Sequence, residues 1–164
     1  QVQNAAAAIN VMLRLGYELT AEGISQALQN IKLFGRMTTI SEQPLVIADV
    51  AHNSQSAQAL ANWLKAHPVS GQTRAVFSVL NDKDVDTWLS VFKGLIDHWF
   101  TFELQGDRAM RLNDLKLTMV EHVGLLSCFK SPQEAYALAK RCTKEEDRLI
   151  VFGSFHVLDE VLRD

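Results

Sequence analysis

Five short apolar runs, at residues 45–50, 75–80, 99–104, 123–129 and 149–152, are separated for most of the chain by stretches of helical periodicity. This alternation constrains the fold more than any other feature. Runs of that length read as strands, and the connections between them are long enough for crossover helices. Residues 54–66 place Ala57, Leu60, Ala61 and Leu64 on one helical face, and His67-Pro68 stops the pattern. Helical patterns also cover 84–95, 132–142 and 154–162. In the second of these, Ser131 stands at the cap with Pro132 first and Glu134 third. Residues 106–122 read as a loop followed by a short helix. The expectation is an α/β fold, a mostly parallel sheet covered by helices on both faces.

Two helices precede the first strand. Asn4 is placed to cap a helix over 5–15, and Gly16 to end it with a left-handed residue. Ile9, Met12 and Leu13 then share a face. Thr20 starts the second helix, with Ile24, Ala27 and Leu28 inward. The chain opens QVQNAAAAIN, without Met and directly in a helical run, which reads as a cut through a larger polypeptide.

The 164 residues suit one domain of ordinary size, and the net charge of −3 with no Lys- or Arg-rich run argues against nucleic acid or anionic membrane as partner. No apolar run approaches the roughly 20 residues of a bilayer span. With no signal peptide, the expected location is the cytoplasm. Cys128 and Cys142 lack metal-type spacing and are expected as reduced thiols in or near the core.

In an open parallel sheet, ligands bind beyond the carboxyl ends of the strands. Three polar clusters fall there: Asp49-Val50-Ala51-His52-Asn53, Asn81-Asp82-Lys83-Asp84 and Gly153-Ser154-Phe155-His156. Each has a structural reading too. Asp49 can cap a helix or pair with Arg36, His52 and Asn53 can bond loop backbone, Asp84 can cap the next helix, and Ser154 explains itself as an N-cap. No G-x-x-x-x-G-K-[ST] phosphate loop is present. Residue chemistry alone yields an α/β domain with a polar rim, and no reaction.

Read in order, Phe34-Gly35-Arg36, Ser41-Glu42-x-Pro44, Asp49-Val50-Ala51-His52-Asn53, Asn81-Asp82-Lys83-Asp84, Gly106-Asp107-Arg108-Ala109 and Gly153-Ser154-Phe155-His156 resemble the C-terminal domain of folylpolyglutamate synthase, often bifunctional with dihydrofolate synthase, in the Mur ligase superfamily. Asn4-Ala5-Ala6 resembles the end of that family's ATPase domain. The resemblance implies a Rossmann-like sheet of the Mur ligase C-terminal type. Residues 1–35 would be the helical tail of the preceding ATPase domain with its linker, and 36–164 the C-terminal α/β domain.

It also implies ATP-dependent amide formation, in which an acyl phosphate is attacked by the amine of L-glutamate, with dihydropteroate or folate as the other substrate. Asn4 would meet the adenine side of ATP, Arg36 its phosphates and Asp49 the ribose hydroxyls. His52 belongs to the site without an assigned role. Asn53, Lys83, Ser154 and His156 are substrate-side candidates. Mg2+ would be held by the ATPase part, with no metal ligands in this chain, which would partner that ATPase domain, act as a monomer and be inactive alone. Ser54 stands where the family usually has Pro, a change a helix N-terminus tolerates. The rival readings are a peptidoglycan-precursor ligase of the same superfamily and a non-catalytic binding module of the same fold.

Overall fold

The computed structural model describes residues 2–31, 33–81 and 85–163 and divides into two compact units, Gln1–Leu33 and Phe34–Asp164. The first unit holds α1 (Val2–Arg14) and α2 (Ala21–Asn30). Thr20, expected to start the second helix, stands just before it as the N-cap, its hydroxyl accepting the Gly23 N–H at 3.1 Å. Gly16 takes φ +84° at the end of the first helix. Asn4 does not cap: α1 already runs at Val2, so Asn4 lies in its first turn and is exposed. An Asn inside a helix costs under about 1 kcal/mol relative to Ala, too little to break a run that Val2 and Gln3 continue. The inward face expected for these helices is not buried. Leu13 is 52% and Leu28 44% exposed, and α2 has no buried residue. Two short helices supply no second layer against which to bury such a face.

The second unit is a six-stranded sheet of order β1-β2-β6-β3-β4-β5. Its strands are β1 (Thr38–Glu42), β2 (Leu45–Asp49), β3 (Thr73–Phe77), β4 (His98–Phe102), β5 (Leu125–Phe129) and β6 (Arg148–Phe152). All neighbours are parallel except the hairpin of β1 and β2. The connecting helices are α3 (Ser54–Ala66), α4 (Val85–Ser90), α5 (Leu112–Val120), α6 (Pro132–Cys142) and α7 (Phe155–Leu162).

Side chains alternate between two cores because successive strand residues point to opposite faces. Ile47, Ala75, Phe77, Trp99, Ile150 and Phe152 pack with α3, α4 and α5. Val46, Ala48, Val76, Phe100, Leu149 and Val151 pack with α6 and α7. A double-sided burial of this kind explains why the strands read as continuous apolar runs. Below them, at the strands' N-terminal ends, Asp147 accepts from Arg74 Nη1 at 2.6 Å and from the N–H groups of Gln72 and Lys144 at 2.7 and 2.8 Å.

Three expectations change. β1, with sequence TTISE, carries no apolar run; it exists because the hairpin presents it to β2, and its Thr and Ser suit an exposed edge. β3 begins at Thr73 and ends at Phe77, and α4 stops at Ser90, after which the chain descends through i→i+3 turns such as Phe92 N–H to Leu89 C=O. Cys128 and Cys142 are exposed rather than in the core, on an edge strand and at the last position of α6. The Asp84 cap and Lys83 lie outside the described residues.

Candidate functional site

β2 and β6 run in parallel register, Asp49 opposite Phe152. From β2 the chain leaves to α3 on one face of the sheet; from β6 it leaves to α7 on the other. Connections that part in this way open a crevice between the strand ends, the usual ligand position in such sheets. Asp49 and Gly153-Ser154 are its two lips.

Two hydrogen bonds tie the turn before β1 to the first lip, and one more braces each side. Val50 N–H donates to the Gly35 carbonyl at 2.7 Å, and Gly35 N–H to Thr38 Oγ1 at 3.0 Å. Met37 N–H donates to Asp49 Oδ2 at 2.9 Å, while Ala51 N–H donates to Asp49 Oδ1 at 2.7 Å. Gly35 is required twice over: its φ is +73°, and an added Cβ would sit 2.6 Å from Val50 Cγ1. Met37 also takes a positive φ of 49°. Arg36 is held between these two residues, half-exposed, and its side chain has no hydrogen-bond partner among the described residues. The structure therefore settles how Asp49 is held. It is neither a helix cap nor the second half of an ion pair with Arg36; its carboxylate buckles the Arg36 turn to the end of β2 through backbone N–H groups.

Burial pushes the Asp49 carboxyl above its ordinary range, against the pull of the Met37 and Ala51 N–H groups and of the Arg36 and His52 charges. Asp49 is 7% exposed, so a ligand reaches only its outer lone pairs.

His52 follows at the mouth of α3, half-buried. Its Nδ1 lies 2.8 Å from the Val50 carbonyl oxygen. A carbonyl only accepts, so Nδ1 carries a proton; whenever the ring is neutral, the lone pair is then on Nε2. Asn53 is the N-cap of α3, its Oδ1 accepting the Ser56 N–H at 2.9 Å. The Ser56 hydroxyl completes a capping box by accepting the Asn53 N–H at 3.2 Å and, in addition, the His52 N–H at 3.0 Å. Ser56 is absent from the motif residues above; the signal for it in the sequence is its place three residues after Asn53, the spacing of a capping box.

On the second lip, Gly153 has φ +134°, and an added Cβ would stand 2.0 Å from the Ser78 carbonyl oxygen. The backbone just past β6 and just past β3 comes too close there for any side chain at position 153. Ser154 caps α7 through the Val157 N–H at 3.3 Å, and His156 projects from the first turn of α7, exposed. Beyond β3, Leu80 and Ala109 form an antiparallel bridge, and Asn81 N–H donates to the Arg108 carbonyl at 2.8 Å. Asn81, the described residue of the second polar cluster, is thereby tied to the Gly106-Asp107-Arg108-Ala109 loop.

A pocket of about 510 Å³ opens beside that loop, at the ends of β4 and β5. Glu103 at its wall accepts from Leu112 N–H and Arg111 Nη1 at 2.9 and 3.0 Å, and these bonds hold its carboxyl below the ordinary range.

Asp49, His52, Asn53, Arg36, Ser154 and His156 thus gather on one end of one sheet. Asn4 belongs to the separate first unit. Among the described residues no three His, Cys, Asp or Glu side chains gather to hold a metal ion. No helix among them is long and apolar enough to cross a membrane.

Residues 35–155 match the Mur ligase, glutamate ligase domain family. The dihydrofolate synthase/folylpolyglutamate synthase of Escherichia coli (strain K12) is 35% identical over 159 residues, 97% of this chain and 37% of that protein. The enzyme of the same name from Buchnera aphidicola subsp. Acyrthosiphon pisum is 32% identical over 161 residues, 98% of this chain and 39% of that protein. Among solved structures, E. coli FolC in complex with DHPP and ADP superposes with a TM-score of 0.85 at 35% identity, covering 97% of this chain and 37% of that one. A bifunctional folylpolyglutamate synthase/dihydrofolate synthase with Mn, AMPPNP and L-glutamate bound gives 0.86 at 35% identity, covering 98% and 38%. The chain thus spans between a third and two fifths of the length of these relatives. With the crevice, the Arg36 turn and the Asp49–Asn53 segment all falling inside the matched residues, the chain belongs to the Mur ligase family, as its C-terminal glutamate ligase domain.

Proposed function

We propose that this domain forms the nucleotide- and glutamate-side half of an ATP-dependent ligase that adds L-glutamate to dihydropteroate, to folates, or to both. The observation that carries the reading is the Arg36 turn buckled onto Asp49. It presents, at the same lip of the crevice, a guanidinium with no hydrogen-bond partner among the described residues and a carboxylate with spare lone pairs. A guanidinium offers a fixed fork of donors to phosphate oxygens, and a carboxylate accepts from ribose hydroxyls. These two residues would hold ATP from this side, Asn4 would meet the adenine, and Mg2+ would be bound outside the described residues. The domain would work against a preceding ATPase domain, in the cytoplasm, as a monomer, and be inactive alone.

In the reaction proposed, a substrate carboxylate takes the γ-phosphoryl group of ATP and ADP leaves. The glutamate amine then displaces phosphate from the acyl carbon and gives up a proton. His52, bonded through Nδ1 to the Val50 carbonyl, would offer Nε2 as a proton acceptor or an amine contact when the ring is neutral. Asn53 and Ser154 spend their side-chain acceptors on helix caps, which leaves the Asn53 amide N–H and the Ser154 hydroxyl proton for substrate. His156 and Lys83 complete the substrate-side candidates. A domain that closes down on the nucleotide also keeps water from the acyl phosphate.

The test is phosphate release by the full-length polypeptide with ATP, Mg2+ and L-glutamate, comparing dihydropteroate, tetrahydrofolate and a UDP-muramyl acceptor. Release with either pterin substrate supports the reading. Release only with the muramyl acceptor moves the chain to the peptidoglycan branch, and none with any moves it to a binding module. Asp49→Ala should weaken ATP use by about 1–3 kcal/mol, the worth of one charged hydrogen-bonding group.

A further inference from the structure

The Ser56 hydroxyl has one proton and two lone pairs to spend. The N–H groups of His52 and Asn53 reach it at 3.0 and 3.2 Å and take both lone pairs. Its proton goes to Asn53, whose Oδ1 and carbonyl oxygen lie 2.9 and 3.0 Å away. A side chain so fully used has nothing left for a ligand. Yet only one of these bonds is needed to cap α3; the bond from His52 N–H reaches back out of the helix to the residue before the cap.

We propose that Ser56 is a positioning residue of this site, acting through His52. Two braces define the imidazole: the backbone N–H held by Ser56 Oγ and the ring Nδ1–H held by the Val50 carbonyl. Together they fix the ring through Nδ1, which in the neutral imidazole leaves the lone pair on Nε2. Removing the hydroxyl frees the His52 N–H and lets the 50–53 turn relax; the ring then loses its short bond to Val50 and with it the preference for the Nδ1–H tautomer. The activity part of this inference rests on the ligase reading, and the tautomer part does not.

Two measurements test it. Long-range 1H–15N spectra of the 164-residue chain, taken where His52 is neutral, should show a single Nδ1–H tautomer in the wild type. Ser56→Ala should show a mixture of tautomers, and Ser56→Thr should return to one. In the full-length ligase, Ser56→Ala should lower kcat by about 10- to 100-fold, the scale on which a small misplacement of a reacting group acts. The KM for ATP should stay within about twofold, since Arg36 and Asp49 are held by other bonds. Ser56→Thr should recover most of kcat. A kcat for Ser56→Ala within about twofold of wild type would overturn the proposal. So would an unchanged tautomer, or parallel losses in kcat and ATP affinity that Thr fails to rescue. If the wild-type enzyme is inactive with every substrate, the ligase reading fails, and the tautomer spectra alone decide whether Ser56 governs His52.

Discussion

Replacing Gly153 by Ala tests the geometry of the crevice most directly. The new Cβ would lie 2.0 Å from the Ser78 carbonyl oxygen and 3.2 Å from Val157 Cγ2. A relaxed C···O contact is about 3.3 Å or more, so β6 and β3 would have to part by over an ångström. Neither can do so freely. Ser78 is fully buried with its hydroxyl bonded to Phe102 C=O at 2.6 Å, and Phe77 C=O is bonded by Thr101 Oγ1 at 2.9 Å. The positive φ of 134° adds about 1–3 kcal/mol for any residue with a Cβ. Forced overpacking adds about 1–3 kcal/mol more. A loss near 4 kcal/mol is expected, within a total stability of about 5–15 kcal/mol.

Gly94 supplies the control. Its φ is +73° and an added Cβ meets nothing within 4 Å, so Gly94→Ala should cost only the backbone term, about 1–2 kcal/mol. Urea unfolding followed by the fluorescence of buried Trp88 and Trp99 reads both variants. With a slope of about 2 kcal/mol per molar, the midpoint should fall by about 2 M for Gly153→Ala and by less than about 1 M for Gly94→Ala. Equal shifts in the two would refute the close approach of the strand ends and the crevice built on it.

Four further outcomes follow from the same structure. At the opposite end of the sheet, Asp147→Ala should cost about 3–5 kcal/mol, because Arg74 would be left buried without its partner; a loss under about 1 kcal/mol in the same urea assay would show the pair to be dispensable. Burial pushes the Asp147 carboxyl up, but the N–H groups of Gln72 and Lys144 and the Arg74 guanidinium outweigh it and hold it below 3.8. Its stabilisation is therefore present above pH 3.8 and lost as pH falls through the lower folded value, so Asp147→Asn should flatten acid unfolding. Asp49 has the opposite sign: its raised carboxyl binds a proton more tightly folded than unfolded, so wild type should lose stability relative to Asp49→Asn as pH rises through and above 3.8. A stability difference independent of pH would remove the burial effect. Arg36→Lys should be poorly tolerated in the active ligase, because an ammonium lacks the planar fork, and near-normal turnover would count against a phosphate contact.

The sequence by itself determined the α/β class, five of the six strands, the start of the second helix near Thr20, the helix caps at Ser131 and Ser154, and the gathering of polar residues at strand ends. These are local signals: apolar runs, helical spacing and cap residues act over a few neighbours, so a linear reading captures them. The tertiary structure decided what distance along the chain conceals. β1 is a strand only because β2 lies beside it. Asn4 is no cap because the helix extends past it. Asp49 serves the Arg36 turn, twelve residues upstream, through the Met37 N–H, and this bond has no signature in residue type because any amide would make it. Gly35 and Gly153 were visible as motif letters, but their need for glycine comes from Val50 and Ser78, brought against them by the packing of the sheet. Local chemistry named the residues; only the folded backbone determined which of them hold the others in place.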